Sequence, residues 1–228
     1  MIIQNMHRVL YQSPAVTTDV AIFTIVGEQL KVLLVRRSDR PFRNTWALPG
    51  GFLHKNETTN LAAVRILSEK AGVKNVFVEQ LYTFDAIGRD PRGRIMSVVY
   101  FTLVPHQDIK FKKGDKTQTP LFWSLKKLPK LAFDHKNIVT YARKRLASKL
   151  EYTNVVFSLL PKKFTFSQLQ KAYEIILDRK LDKRNFRKKF LLLGLIKLTR
   201  GLLSGTRQRP ARLYEFISRK PEELKKFF

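Results

Sequence analysis

The sequence predicts two folds in series: a compact α/β domain over residues 1–140 and a winged helix-turn-helix over residues 141–228. Three observations carry this. Up to about residue 140, β-rich runs alternate with helical patterns, the pattern of α/β layers. Beyond that point, three helical segments are followed by two short strands around a loop rich in Gly, Arg and Pro. The charge is also uneven: of a net +26, residues 1–140 hold +10 and the shorter 141–228 hold +16. Such asymmetry favours a nucleic-acid-binding unit joined to something else.

The α/β part reads element by element. Residues 17–26 and 29–36 are β-rich runs separated by Gly27-Glu28, a hairpin or two neighbouring core strands. Residues 39–44, with Pro41, form a turn region. Residues 45–48 form a short strand, and Pro49-Gly50-Gly51 is expected to break regular structure. A helix opens at Glu57 or Thr58, with Thr58 or Thr59 as its cap. It runs to Ala71 with Leu61, Val64, Leu67 and Ala71 as the apolar stripe and Gly72 as the stop. Residues 76–85 and 95–104 are strands around a turn from Gly88 to Gly93. Residues 110–116 are a polar loop, 120–124 a short strand, and 135–150 a helix that links the two domains.

In the basic half, residues 154–160 form a short apolar helix ended by Pro161. A helix over 167–177, capped by Ser167, carries Leu169, Ala172, Tyr173 and Ile176 on one face. Asp182 caps a third helix over 183–193, stopped by Gly194. Strands follow at 195–199 and 212–217. On the third helix Phe186, Phe190 and Leu193 share one side, Arg184 and Lys188 lie opposite, and Asn185 and Arg187 flank them. Leu191 falls outward.

An apolar back and a cationic, amide-bearing front suit a major groove. There Arg pairs with guanine and Asn with adenine, while Lys183 and Lys188 supply phosphate contacts. The loop adds Arg207, Arg209 and Arg212, a cluster suited to a narrow, electronegative minor groove. Read alone, the helix is equally an amphipathic helix with a solvated face, and the loop a flexible basic one. The order of helix, turn, basic helix and Arg-tipped wing favours DNA.

Composition narrows the classes. A chain 44% hydrophobic can bury a core, which excludes a disordered basic tail. There is no Cys, hence no disulfide and no Cys-based metal site, and the His residues at 7, 54, 106 and 135 form no local ligand motif. The first residues lack a signal-peptide pattern, and no apolar run nears the ~20 residues that span a bilayer. The expectation is a soluble cytoplasmic protein without membrane contact.

Residues 51–73 read G-x5-E-x7-R-I-L-S-E-K-A-G-V. This resembles the Nudix box, G-x5-E-x7-R-E-U-x-E-E-x-G-U, where U is apolar. Gly51, Glu57, Arg65, Leu67, Glu69, Gly72 and Val73 match seven of nine fixed positions, and the upstream LLVRR and WALPGG are also similar to the family. The resemblance implies an α/β/α sandwich with a mixed sheet. The family has Glu where this chain has Ile66 and Lys70. Positions 66, 69 and 70 share a helical face at i, i+3, i+4, where active members hold the cations that activate water. Here one ligand is apolar and another cationic, so the expectation is a pocket that binds without hydrolysis, with no catalytic residue and no metal requirement.

A degenerate Nudix domain followed by a winged helix resembles the Nudix-related transcriptional regulators of bacterial NAD metabolism. GRDPRGR (88–94), LAFDHKNIV (131–139), LEYT (150–153), FTFSQLQKAYE (164–174), LDKRNFRKK (181–189) and RPARLYEF (209–216) carry that resemblance over nearly the whole chain. It implies a homodimer on a palindromic double-stranded operator, released by ADP-ribose or a related NAD-derived nucleotide as effector rather than cofactor. By the same resemblance Arg36, Arg37, Trp46, Leu48, Gly50, Gly51, Arg89, Asp90 and Arg92 become pocket candidates; Lys70, from the altered box itself, could bind a phosphate directly. Trp46 also reads as a core aromatic, and the stretch from Gly88 to Gly93 as a simple hairpin turn. An active ADP-ribose pyrophosphatase with a basic nucleic-acid-binding appendage stays open as the alternative.

Overall fold

A computed structural model describes residues 13–73, 76–111, 120–203 and 210–224. The first domain is built on a seven-stranded mixed sheet. Strands β1 (Ala15–Val26), β2 (Gln29–Arg36), β3 (Trp46–Ala47), β5 (Glu79–Phe84) and β6 (Ile95–Leu103) lie in the order β3-β2-β1-β6-β5, while β4 (Gly50–Phe52) pairs with β1 and β7 (Leu121–Ser124) with β2. The β1–β6 pair is parallel and the others antiparallel. Alternation along β1 sends Val20 and Ile22 to one face and Ala21 and Phe23 to the other, each buried in a separate apolar cluster.

Helix α1 (Thr59–Ala71) covers the first face and α2 (His135–Lys149) the second, which makes the α/β/α sandwich. Thr58 caps α1 by accepting from the Leu61 amide. Gly72 ends it at φ 64, where a Cβ would sit 1.7 Å from the Lys110 carbonyl oxygen, so only Gly fits.

Three expectations change here. Leu61 and Val64 are exposed. The buried residues of α1 are Ala62, Ala63, Ile66, Leu67 and Ala71, because small side chains bring the helix close to the sheet. The glycine segment does not break structure, since Gly50–Phe52 pairs antiparallel with β1. Position 66 leaves the face proposed for 66, 69 and 70: Ile66 is 1% exposed in the apolar cluster, while the Glu69 side chain is half exposed.

The second domain follows without a gap in the core. Residues 140 and 141 lie inside α2, which continues to Lys149. A 3-10 turn over Val155–Leu159 leads to β8 (Phe164–Thr165), α3 (Phe166–Leu177), α4 (Lys183–Leu192), β9 (Ile196–Leu203) and β10 (Ala211–Phe216). The three strands form a small sheet, β8-β10-β9. The α3 cap is Thr165, two residues before the expected Ser167: its hydroxyl accepts from the Gln168 amide and the Gln168 side chain accepts from the Thr165 amide, a reciprocal capping box. Asp182 caps α4 as expected.

Phe186 and Phe190 are buried against Phe166 and Tyr173. This aromatic core is continuous with the α2 side of the sandwich. Ion pairs Lys171–Glu28 and Lys126–Asp178 bridge the two domains at 2.7 and 2.8 Å, and Arg143 on α2 joins Asp178 at 3.2 Å, beside a cleft of about 340 Å³. Among the described residues no helix is long and apolar enough to cross a membrane.

Candidate functional site

The strand ends of the sandwich and the turns beside them enclose a cavity of about 290 Å³. Arg36 and Arg37 reach it from the end of β2, Leu48 and Gly50-Gly51 from β4 and the turn before it, Lys70 from α1, and Arg89, Asp90 and Arg92 from the turn between β5 and β6. Nine of the ten pocket candidates therefore line one cavity. Trp46 does not: its ring packs edge-to-face on Trp123 at 5.4 Å, against the core. Sequence reasoning missed Thr17, Asp19, Ser38, Asp39, Arg40, Phe52, Phe133 and His135, which with Val35 and Ala47 complete the lining.

The cations are held in three ways. Arg89 makes a bidentate pair with Asp134, at 2.7 and 3.0 Å, and is nearly buried. Asp134 opens α2 but gives it no side-chain cap, because its carboxylate is committed to Arg89. Arg92 binds Asp90 through its amide and guanidinium, at 2.6 to 3.0 Å. Burial pushes the Asp90 carboxyl up, but these bonds outweigh it and leave the group below its ordinary value. Arg37 donates to backbone carbonyls, those of Pro41 and Asp39. Burial and the neighbouring Arg92 lower its pKa, so two like charges are held close together.

Both guanidiniums lie over the Phe133 ring, at 4.8 and 5.5 Å, and Arg92 also lies over Phe52 at 5.2 Å. Phe133 holds this place at φ 51, a left-handed backbone that a bulky residue adopts at a cost of about 1–3 kcal/mol. Gly51 is open on its side-chain side, so a ligand can approach its backbone. A shallow bowl with paired arginines, a lysine and an open glycine turn is suited to phosphate.

The remaining box residues are occupied elsewhere. Arg65 binds Glu57 twice, at 2.7 and 2.8 Å, and lies 3.8 Å from Glu69. The Arg65 bonds pull the Glu57 carboxyl down to about 2. Among the described residues no three His, Cys, Asp or Glu side chains are grouped as metal ligands would be.

The second surface lies on α4. Lys183, Arg184, Asn185, Arg187 and Lys188 are exposed on the helix whose back is buried through Phe186 and Phe190, and Leu191 is exposed as expected. Arg187 is engaged at its tip: it donates to the Tyr214 hydroxyl at 2.8 Å and lies over Phe166 at 4.8 Å, tying α4 to the wing strand. Arg212 borders the same groove from β10, with Lys183 opposite. Arg207 and Arg209 lie outside the described residues.

A Nudix sandwich with a cationic bowl, continuous with a winged helix that presents a basic helix, defines a two-domain regulator class. Comparison with known families agrees. The NUDIX domain matches residues 16–142, and the NrtR DNA-binding winged helix domain matches 156–216. The chain is 39% identical over 213 residues to the ADPR responsive transcriptional repressor NtrR of Acinetobacter baylyi, covering 90% of this chain and 83% of that protein. It is similar to Shewanella oneidensis NrtR solved with a 27mer DNA (TM-score 0.80, 34% identity, 88% and 93% of the two chains). The Nudix domain of that protein, solved with ADP ribose, matches with TM-score 0.54 and 35% identity over 62% of this chain and 94% of that one. An ADP-ribose pyrophosphatase of Methanocaldococcus jannaschii is 38% identical over 130 residues, 57% of this chain and 73% of that protein. The chain belongs to the NrtR family of Nudix-related transcriptional regulators.

Proposed function

We propose that this protein is a cytoplasmic repressor that binds a palindromic DNA operator as a homodimer and releases it when ADP-ribose or a related NAD-derived nucleotide enters the cationic bowl. The observation that carries the reading is Lys70. At a position where the Nudix box places a carboxylate, a cation lines the same cavity as Arg37, Arg92 and Gly51. It favours a direct hold on the pyrophosphate and disfavours a divalent metal there. The other box groups point the same way, because Ile66 is in the core and Glu57 is bound to Arg65. A divalent ion does not fit this set, and the reading needs neither a metal nor hydrolysis.

The two α4 helices of a dimer would enter successive major grooves, about 34 Å apart. Arg184, Asn185 and Lys188 are free to face them, with Arg187 holding the wing and Arg207, Arg209 and Arg212 assigned to the minor groove or backbone. The effector acts by differential affinity for two arrangements of the winged helices, typically about 1–3 kcal/mol of coupling. The continuous core through α2 and the interdomain ion pairs give that coupling a physical route.

The test is operator binding with and without ADP-ribose. The proposal expects specific binding that ADP-ribose weakens. The pyrophosphatase alternative draws on the retained Glu57 and Glu69 and on the archaeal relative. Robust turnover of ADP-ribose with Mg²⁺ or Mn²⁺, abolished by Glu69→Gln, would overturn the non-catalytic reading.

A further inference from the structure

The floor of the bowl carries a polar pair that phosphate recognition does not use. Asp19, on β1, is 7% exposed, and its carboxylate accepts from the Ser97 hydroxyl at 2.5 Å. His135, the first residue of α2, is 3% exposed, and its Nδ1 accepts from the Leu48 amide at 2.8 Å. An accepting Nδ1 places the ring proton on Nε2. That Nε2 lies 3.9 Å from Asp19 Oδ2, beyond hydrogen-bond range. Both side chains line the cavity. Gly50 keeps the floor open: a Cβ there would meet Asp19 Oδ1 at 1.8 Å.

A donor and an anionic acceptor held just too far apart to meet select one kind of group. A hydroxyl oxygen at about 2.8 Å from each would accept from His135 Nε2 and donate to Asp19 Oδ2. An ionised phosphate oxygen only accepts, so it is repelled from Asp19 and drawn to Arg37, Arg92 and Lys70. Resting on the effector reading above, we propose that Asp19 and His135 form a sugar-hydroxyl site, which discriminates a sugar-bearing pyrophosphate from a bare one and sets its orientation in the bowl. Burial lowers the His135 pKa and keeps the ring neutral, in keeping with its accepting Nδ1.

Calorimetric titration of the full chain with ADP-ribose and with inorganic pyrophosphate tests this. Asp19→Asn preserves shape and removes charge. His135→Asn offers an oxygen in place of Nδ1 for the Leu48 amide and deletes the Nε2 donor. Asp19→Asn is expected to lose at least about tenfold in ADP-ribose affinity, the scale of one hydrogen bond to a charged group, and His135→Asn about three- to tenfold, the scale of one between neutral groups. Pyrophosphate affinity should be unchanged in His135→Asn and equal or tighter in Asp19→Asn. Melting curves confirm folding. ADP-ribose affinity retained in both variants, or a parallel loss of both ligands in both, would overturn the hydroxyl site alone. A wild-type chain that binds neither ligand would overturn the effector reading itself.

Discussion

Arg89→Ala should destabilise the fold strongly. The guanidinium is nearly buried, with 4% of its side-chain surface exposed, and Asp134 keeps only 16%. Truncating one partner of such a pair leaves a mostly buried carboxylate unmatched, which costs about 3 kcal/mol, the lower end for a buried pair. With a urea m-value near 3 kcal/mol/M, the upper end for small proteins, 3 kcal/mol is a midpoint shift of about 1 M. Replacing both charges, Arg89→Met with Asp134→Asn, should recover most of the loss, because it removes the unpaired charge along with the pair. Urea unfolding followed by circular dichroism measures both. A single-variant shift below about 0.3 M, or a double variant as weak as the single, would refute the claim that Arg89 chiefly holds Asp134 and the start of α2.

Other predictions follow from the same geometry. Glu57, bound to Arg65, titrates at about 2 instead of 4.5, so its contribution to stability is present above pH 4.5 and is lost as pH falls toward 2. Glu57→Gln should lower the melting temperature at pH 7 and leave a gap to wild type that closes across that window. Phe190→Ala, at a fully buried site, should cost about 3–5 kcal/mol by unfolding measurements and lose DNA binding with it. Lys188→Ala should reduce the slope of log K against log salt by about 1 for operator and random DNA alike, the mark of a phosphate contact. Arg187→Ala, by contrast, should weaken operator binding largely through the wing, and Tyr214→Phe should reproduce part of that loss in the same assay.

Much of this was legible in the residues because local and tertiary signals agree. Thr58, Gly72 and Asp182 cap where their chemistry says they should, and the Phe186–Phe190 spacing alone marks the buried side of α4. The misses share a cause. On α1, Leu61 and Val64 look like the apolar stripe, but close helix-to-sheet contact favours the alanines at 62, 63 and 71. At α3, Ser167 and Thr165 are both acceptable caps, and the reciprocal bond with Gln168 decides for Thr165.

In the bowl, the motif carried Gly51 and Lys70 and the resemblance the arginines. Asp19 lies more than 100 residues from Phe133 and His135, and although the latter two fall in the stretch 131–139 that carries the resemblance, nothing local marks any of the three as pocket residues. Only the β1–β4 pairing and the start of α2 bring them together. Trp46 went the other way: the resemblance made it a pocket candidate, but its other reading, a core aromatic, matches its packing on Trp123 against the core.

The central claim, that the bowl and the basic helix are coupled, is tested most directly by titrating ADP-ribose into a preformed operator complex and reading the operator Kd by fluorescence anisotropy at fixed salt. The account predicts that saturating ADP-ribose raises the Kd at least about tenfold, equivalent to about 1.4 kcal/mol of coupling. An operator affinity unchanged at saturating ADP-ribose would contradict it.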